Sequence, residues 1–533
     1  MKARSKEFIR FAAVIAVFLL AMDTAAVNAQ VPQQGDLGMV LIKKIVFSGN
    51  TVVDTVTLQK VVEPFIDREL SLQEMSELAD LITMKYQENG YILARAYLPE
   101  QEIKDGVLKI SIAEGKIGQI KVTGKTHYQD RVIKRYFGQQ EEHGIVKESL
   151  LEKGLLLTKE MPEIDTEVIL KGGEKPGTVD VILDTKDSSA LTFSAHMGVD
   201  YNNFGSETVS VDRFGTSIDI MDHNWGTQLK LRGVTGKKGS DSLMGYADFS
   251  APVNSYGTRV GLNFLDGNYA VGQELADLGL TGKTIIYGAN INHPLFKQKN
   301  SELRVSFAFD HKDTENQILG ESQSQDVLNA YTFGLDFNNL DRFLGKNIIN
   351  FQYVHGRLDQ NEKYVPSRLN VDDYFDRLKL NATRIQRIFG NTNIMVRGSG
   401  QFSNYRLLPI EQFVIGGYGT VRGYDPATYL GDSGYYVSTE LMFAPPFIGE
   451  KTLFGQRVAQ LVQFALFYDH GGAFTTNTEP DEISSEFLSS YGGGFRLYYK
   501  DIFTFKYDIG FPVDREERKD NFINYFMVSF NLF

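Results

Sequence analysis

The sequence SELRVSFAFD, at residues 301–310, alternates apolar and polar side chains. Leu303, Val305, Phe307 and Phe309 fall on one face, and mostly polar or charged residues occupy the other. A period of two residues is typical of a β-strand whose two faces meet different surroundings. The stretch matches the roughly 9 to 11 residues that a tilted strand needs to cross a bilayer. It therefore predicts a membrane-crossing strand, since the strands of soluble sandwiches are usually shorter.

The same alternation continues from residue 189 to the end of the chain. Phe, Tyr and Trp make up about 6% of residues 1–188 and about 15% of residues 189–533, so the chain changes character there. Sixteen such segments predict a 16-stranded antiparallel transmembrane β-barrel over residues 188–533. The predicted strands are 190–200, 213–221, 227–236, 241–253, 258–271, 283–295, 301–313, 328–340, 346–359, 375–388, 391–403, 433–445, 458–471, 485–499, 501–514 and 522–533.

The connections between the strands alternate in length. Even-numbered connections are mostly tight turns, whereas odd-numbered ones are mostly longer and polar, as expected for periplasmic turns and external loops. The longest external connection is the sixth, residues 404–432, which we call loop 6.

Charged residues on the polar face predict an aqueous lumen, because they cannot face lipid. Sixteen strands also enclose a channel wider than side chains alone can fill, so we expect an element that plugs or gates it. The charged residues in question are Lys230, Arg232, Arg304 and Lys506.

Residues 1–29 have the three parts of a secretory signal peptide. Basic residues precede an apolar run of 12 residues, Phe11 to Met22, and small residues precede Gln30. A membrane-spanning helix needs about 20 apolar residues, so the run predicts export and cleavage. A short segment, residues 30–39, follows.

Residues 40–187 read as two copies of a β-α-α-β-β module, 40–114 and 115–187. The run Ile120 to Gly124 echoes Ile45 to Gly49, which lies 75 residues earlier. A tandem repeat of this kind predicts two small α+β domains before the barrel. The predicted strands are 41–47, 92–98, 107–112, 166–170 and 178–184, and the predicted helices are 55–66, a helix from Ser71 to Gly90, 129–137 and 147–161.

Loop 6 contains the run Val421-Arg422-Gly423-Tyr424 in a glycine-rich context. Glycine-rich backbone around a single arginine suggests a tightly folded loop that places a guanidinium in a confined site, although a solvated arginine fits the same pattern.

The thirteenth strand directs Phe467 and Asp469 into the lumen by its alternation. A carboxylate buried in a pore requires a partner, and arginine is the side chain that can pair with it through two hydrogen bonds.

These motifs, the two modules and the sixteen strands together resemble an outer-membrane transporter of two-partner secretion. This family belongs to the superfamily of polypeptide-transporting outer-membrane barrels. The modules then resemble POTRA domains, with Glu114-Gly115 ending the first. The resemblance implies a Gram-negative outer-membrane location, periplasmic POTRA domains, and a latch between Arg422 and Asp469 inside the barrel.

The resemblance also implies a partner: one large β-helical adhesin or haemolysin, exported unfolded and without ATP, whose N-terminal domain docks on the POTRA domains. The pore would be a monomer in outer-membrane lipid. An assembly factor that inserts barrels into the membrane is the alternative. Such factors usually carry more modules, so two modules favour secretion, whereas Tyr424 does not discriminate. A plain porin would leave the modules unexplained.

The N-terminal segment departs from the family pattern. Many members thread an N-terminal helix through the pore, but residues 30–39 would span only about 15 Å as a helix, against a bilayer core of about 30 Å. We therefore expect loop 6 alone to narrow the pore, and deletion of residues 30–39 to change the resting conductance little.

Composition excludes several other functions. A net charge of −12 argues against a nucleic-acid partner. The absence of Cys excludes a disulfide scaffold and a cysteine nucleophile, and eight His without a His-Glu-x-x-His motif argue against catalytic zinc. Gly431 to Gly434 resembles a serine-protease motif, but Tyr435 replaces the next glycine. We expect no enzyme, cofactor or metal.

Overall fold

The structure is a computed structural model whose residue contacts divide the chain into two compact units, residues 1–190 and 191–533. The predicted signal peptide and residues 30–37 lie outside the described residues. No helix in the described part of the chain is long and apolar enough to cross a membrane. The described residues are 38–187, 191–237, 242–271, 279–359, 365–480, 482–513 and 521–532.

The first module is built on a three-stranded sheet of order β2-β5-β4, in which β2 pairs parallel to β5. The long helix α2 begins with the predicted capping box of Ser71 and Glu74, and its apolar stripe is buried from Met75 to Tyr86. The elements are β1 (Val40–Ile42), β2 (Lys44–Ser48), α1 (Thr55–Val62), a 3-10 turn (Glu63–Phe65), β3 (Arg68–Leu70), α2 (Leu72–Glu88), β4 (Arg95–Tyr97) and β5 (Val107–Ala113).

The second module repeats this plan with a sheet of order β6-β8-β7. Strand β6 pairs parallel to β8, and β7 pairs antiparallel to β8, which leaves β7 at an edge of the sheet. The elements are β6 (Lys116–Thr123), α3 (Asp130–Arg135), α4 (Gly138–His143), α5 (Glu148–Thr158), β7 (Ile164–Gly172) and β8 (Thr178–Asp187).

Some short elements and boundaries of the modules were not predicted correctly. The strand predicted over residues 41–47 is divided, because the N–H groups of Lys43 and Lys44 both donate to the carbonyl of Gly106 (2.8 and 3.2 Å). Helix α1 ends at Val62 rather than at the predicted residue 66, and a 3-10 turn that contains Pro64 follows it. Strand β3 and helix α4 were not predicted, since three to six residues are too few to show a period.

The second unit is a closed antiparallel barrel of sixteen strands, which confirms the predicted fold class. The strands are β9 (Phe193–Asn202), β10 (Arg213–Asp222), β11 (Gln228–Gly236), β12 (Ser242–Pro252), β13 (Arg259–Ala270), β14 (Thr281–Gln298), β15 (Ser301–Ile318), β16 (Glu321–Leu340), β17 (Lys346–Leu358), β18 (Tyr374–Phe389), β19 (Thr392–Phe402), β22 (Ser433–Phe443), β25 (Val462–Phe474), β26 (Ser485–Tyr499), β27 (Phe503–Pro512) and β28 (Ile523–Asn531).

Apolar side chains are exposed on the outer face of the barrel, as the alternation predicts; Leu262, Phe307 and Leu466 are examples. The first and last strands, β9 and β28, close the barrel by pairing Gly198 to Asn202 with Met527 to Asn531. This seam has five paired positions.

Two barrel predictions were wrong in detail. Strands β14, β15 and β16 are 18 to 20 residues long and extend beyond their predicted ends. The thirteenth strand, β25, begins at Val462 rather than at residue 458.

Short elements lie in the connections between the barrel strands. They are the hairpin strands β20 (Phe413–Ile415) and β21 (Tyr429–Gly431) of loop 6, the short strands β23 (Thr452–Leu453) and β24 (Gln456–Arg457), and helix α6 (Val458–Leu461).

Candidate functional site

Loop 6 folds into a hairpin that is held against the inward face of the barrel wall. Its strands β20 and β21 pair antiparallel. Gly416 and Gly417, which follow β20, have φ angles of 102° and 91°, a left-handed conformation that favours glycine. The glycine-rich run therefore turns the loop back on itself and presents Val421 to Tyr424 to the wall.

The structure brings Arg422 and Asp469 together. The Nε and Nη2 groups of Arg422 donate to the two carboxylate oxygens of Asp469 at 2.7 and 2.9 Å. The backbone N–H of Arg422 also donates to Asp469 Oδ2 at 3.2 Å. Both side chains are almost inaccessible to solvent, at 2% and 0% exposure. The pair has the bidentate geometry that is strongest for arginine and a carboxylate.

Phe467, the other strand-thirteen motif residue, lies under the guanidinium. The Arg422 Cζ atom is 3.3 Å from the centroid of the Phe467 ring. Phe467 is two residues before Asp469, so both project from β25 on the inward side. The motif thus supplies a carboxylate in the guanidinium plane and an aromatic face beneath it, which is a cation–π arrangement.

Further charged residues complete this site, which we call the lumen cluster: Arg422, Arg496, Glu440, Asp469 and Asp508. Arg422 Nη1 lies 3.1 Å from Glu440 Oε2 and 3.5 Å from Asp508 Oδ2. Arg496 contacts Asp508 at 2.6 Å and Glu440 at 3.1 Å, and so shares both of these carboxylates with Arg422. Two cations and three carboxylates therefore contact one another across loop 6 and four barrel strands.

The other residues of the loop 6 motif also contact the barrel. Val421 belongs to an apolar cluster that includes Ala473 of β25 and Leu488 of β26. The N–H of Gly423 donates to the Tyr525 hydroxyl at 2.9 Å, and that hydroxyl donates to the Tyr424 carbonyl at 3.1 Å. The loop motif is therefore bound to the last barrel strand as well as to β25.

A second set of ion pairs, which we call the external network, joins loop 6 to the loops on either side of it. Arg368 contacts Asp432 at 2.6 Å and Glu482 at 3.0 Å, and Arg406 contacts Glu482 at 2.7 Å. Asp432 belongs to the protease-like run, and its side chain is buried in this network. The sequence offered no signal for the network, since its members lie in three separate loops.

The described residues contain no group of three or more His, Cys, Asp or Glu side chains that could hold a metal ion.

Two family models match the chain. The POTRA domain of ShlB type matches residues 40–115, and the haemolysin secretion/activation protein ShlB/FhaC/HecB matches residues 177–497. The second match covers more than half of the chain, so the fold and the site define a polypeptide transporter of the outer membrane. The chain belongs to the ShlB/FhaC/HecB family of two-partner secretion transporters.

Relatives of similar length match most of the chain. The chain is 25% identical over 486 residues to the heme/hemopexin transporter protein HuxB of Haemophilus influenzae, covering 88% of this chain and 83% of the relative. It is 24% identical over 431 residues to the outer membrane transporter CdiB of Escherichia coli, covering 76% of this chain and 70% of the relative.

Solved structures share the fold. CdiB from Escherichia coli superposes with a TM-score of 0.77 at 19% identity, covering 95% of this chain and 93% of that one. BamA from Haemophilus ducreyi, lacking POTRA domains 1–3, has a TM-score of 0.55 at 16% identity, covering 92% of this chain and 100% of that one.

Family membership settles the choice between secretion and barrel assembly. The chain is an outer-membrane barrel with an N-terminal periplasmic POTRA region, and it secretes a large partner protein across that membrane.

Proposed function

We propose that the second module captures the unfolded partner, with residues 147–170 as the recognition surface. This range comprises helix α5 and most of strand β7. An extended segment of the partner would add to the sheet beside β7 through main-chain hydrogen bonds. Half-buried apolar side chains at Val168, Ile169 and Leu170 supply contacts for its side chains.

The hydrogen-bond pattern of β7 identifies the free donors. Gly173 N–H donates to Thr178 at 2.9 Å, which places that pair in a hydrogen-bonded position. Bonded and non-bonded positions alternate in an antiparallel pair, so Val168, opposite Leu183, is at a non-bonded position. Its N–H therefore points away from β8, towards the open edge.

This geometry gives a test. Val168→Pro removes an outward N–H without breaking the β7–β8 ladder, whereas Val168→Ala keeps that N–H and serves as the matched control. The partner to be used in the test is the long, repeat-rich secreted protein that we expect to be encoded beside this chain. We expect secretion of that partner into the medium to fall with proline and to persist with alanine. Normal secretion by Val168→Pro, or by a folded barrel lacking residues 115–187, would rule out this surface.

We further propose that transport is passive. The partner, a β-helical adhesin or haemolysin, threads the lumen unfolded and folds outside, which opposes its return. The barrel closes within one chain, which supports a monomer surrounded by outer-membrane lipid. No chemical step is needed, so we propose no enzymatic activity.

The single observation that carries the gating proposal is the contact between Arg422 and Asp469. We propose that this pair is the latch that fixes the position of loop 6 inside the pore, and that secretion depends on this position. The double-mutant cycle described in the Discussion tests the latch by secretion and by loop mobility.

A further inference from the structure

Glu411 lies in the first half of loop 6, in a short 3-10 turn, Pro409–Glu411, and its side chain has no solvent exposure. Its Oε1 atom is 2.5 Å from Lys312 Nζ, and its Oε2 atom is 3.0 Å from Arg377 Nη2. Lys312 belongs to β15 and Arg377 to β18, so the carboxylate joins the loop to two separate barrel strands.

The backbone of Glu411 is fixed by the same part of the wall. Its carbonyl accepts a hydrogen bond from Arg377 Nη1 at 2.9 Å and another from Gln401 Nε2 at 2.9 Å. Arg377 thus contacts both the side chain and the main chain of one loop residue. A buried carboxylate is costly unless it is paired. Here both oxygens have a cation partner on the wall, and Oε1 also accepts a hydrogen bond from Lys312, whereas Oε2 accepts none.

Besides Arg406 and Asp432 of the external network, loop 6 carries two buried charges of opposite sign that contact the barrel strands, Glu411 and Arg422, eleven positions apart. Glu411 contacts cations on β15 and β18, and Arg422 contacts carboxylates on β22, β25 and β27. Withdrawal of the loop would remove Glu411 from the cations of the wall and Arg422 from its carboxylates at the same time. The first half of the loop thus balances a positive part of the wall, and the second half balances a negative part.

We propose that Glu411 is a second positioning residue, which holds the first half of loop 6 in the pore independently of Arg422. The inference rests on the proposal that loop 6 occludes the resting pore. Both charges must leave the wall before a polypeptide can pass, so loss of Glu411 alone loosens the loop while the contact between Arg422 and Asp469 remains.

The chain lacks cysteine, so a single introduced thiol reports on the loop. Gly419 suits this purpose because it is exposed and no heavy atom outside its chain neighbours lies within 4 Å of an added Cβ. A nitroxide at Gly419→Cys would be compared in the parent, with Glu411→Gln, and with Glu321→Gln. Glu321 is an exposed acid at the end of a barrel hairpin and is the matched control.

We expect the mobile fraction of the nitroxide spectrum to rise about tenfold with Glu411→Gln, since a hydrogen bond to a charged group is worth about the 1.4 kcal/mol that a tenfold change requires. Planar-bilayer recordings should show more frequent high-conductance openings. The Glu321→Gln spectrum should match that of the parent.

Two outcomes would overturn the proposal. One is a folded Glu411→Gln variant with the parent spectrum and conductance. If that variant does not fold, the same spectrum and conductance are measured for Lys312→Gln. An unchanged spectrum in Lys312→Gln is the second outcome that would overturn the proposal. The spectrum needs no secreted partner, so failure of this inference is distinguishable from failure of the proposed route of transport. A mobile loop without altered conductance would instead reject occlusion by loop 6.

Discussion

Gly510 of β27 touches Gly423 of loop 6 backbone to backbone. A Cβ added to Gly510 would lie 2.7 Å from the amide nitrogen of Gly423, a distance that real Cβ contacts essentially never reach. Gly423 has a φ angle of 90°, which also favours glycine. The loop motif therefore requires small residues on both sides of its contact with the wall.

We predict that Gly510→Ala displaces loop 6, because the nearest atoms are backbone and cannot rotate away. Overpacking of this kind typically costs about 1 to 3 kcal/mol, which shifts the equilibrium towards the displaced loop. Resting conductance in planar bilayers should rise. Gly419→Ala, at a position with open space, is the control and should leave conductance unchanged. Equal conductance in both variants would contradict the close contact.

We predict that Arg422→Ala impairs secretion and loosens loop 6 more than Asp469→Ala does. Loss of the arginine leaves Asp469, Glu440 and Asp508 with Arg496 as the remaining cation of the lumen cluster. Loss of Asp469 still leaves Arg422 two carboxylate partners. Breaking a buried pair costs about 3 to 5 kcal/mol, and less where water enters.

The double variant tests whether the two residues act as one unit. Its loss of secretion should be smaller than the sum of the two single losses, since each single change already breaks the shared contact. The charge swap Arg422→Asp with Asp469→Arg is not expected to rescue, because Glu440 and Asp508 remain in place. Strictly additive losses, or normal secretion by Arg422→Ala, would reject the latch.

The sequence was sufficient to predict the features that the bilayer imposes. It did not predict very short elements or contacts between residues that are distant in the chain. Lipid forces strict alternation, so sixteen strands and the inward side of Asp469 could be inferred. Residues 458–461 contain too few positions to distinguish a strand from the helical turn that forms there. Glu411 and Glu440 gave no signal, because their partners lie on strands far away in the chain and meet them only once the barrel has closed.

We predict that the external network survives acidification to about pH 4. Partial burial alone would raise the pKa of Glu482, but hydrogen bonds from Arg406 and Arg368 outweigh it and lower the pKa to about 2. A depressed carboxyl pKa contributes stability that is complete above the unfolded value, about 4.3, and is lost as pH falls through the folded value. The network should therefore loosen only near pH 2.

A nitroxide at Thr478→Cys, in the same loop as Glu482, measures this. Its mobility should be constant between pH 7 and pH 4 and should rise as the pH approaches 2. Adding Glu482→Gln should make the label mobile at every pH and remove the acid transition. Loosening of the parent between pH 6 and pH 5 would show that another group controls the loops.

The last prediction concerns the seam between β9 and β28. Tyr418 of loop 6 stacks on Phe204, two residues after β9, with centroids 3.8 Å apart and planes 9° apart, and lies 5.5 Å from the Tyr525 ring of β28. Loop 6 therefore supports a seam that pairs at only five positions. Aromatic pairs contribute about 0.5 to 1.5 kcal/mol beyond the burial of their surface. Tyr418→Ala should therefore lower the temperature at which the barrel unfolds, measured by gel electrophoresis as the loss of the mobility of the compact, folded form. Phe447→Ala removes a fully exposed ring and should leave that temperature unchanged; equal shifts in the two variants would mean that the stacked rings do not stabilise the seam.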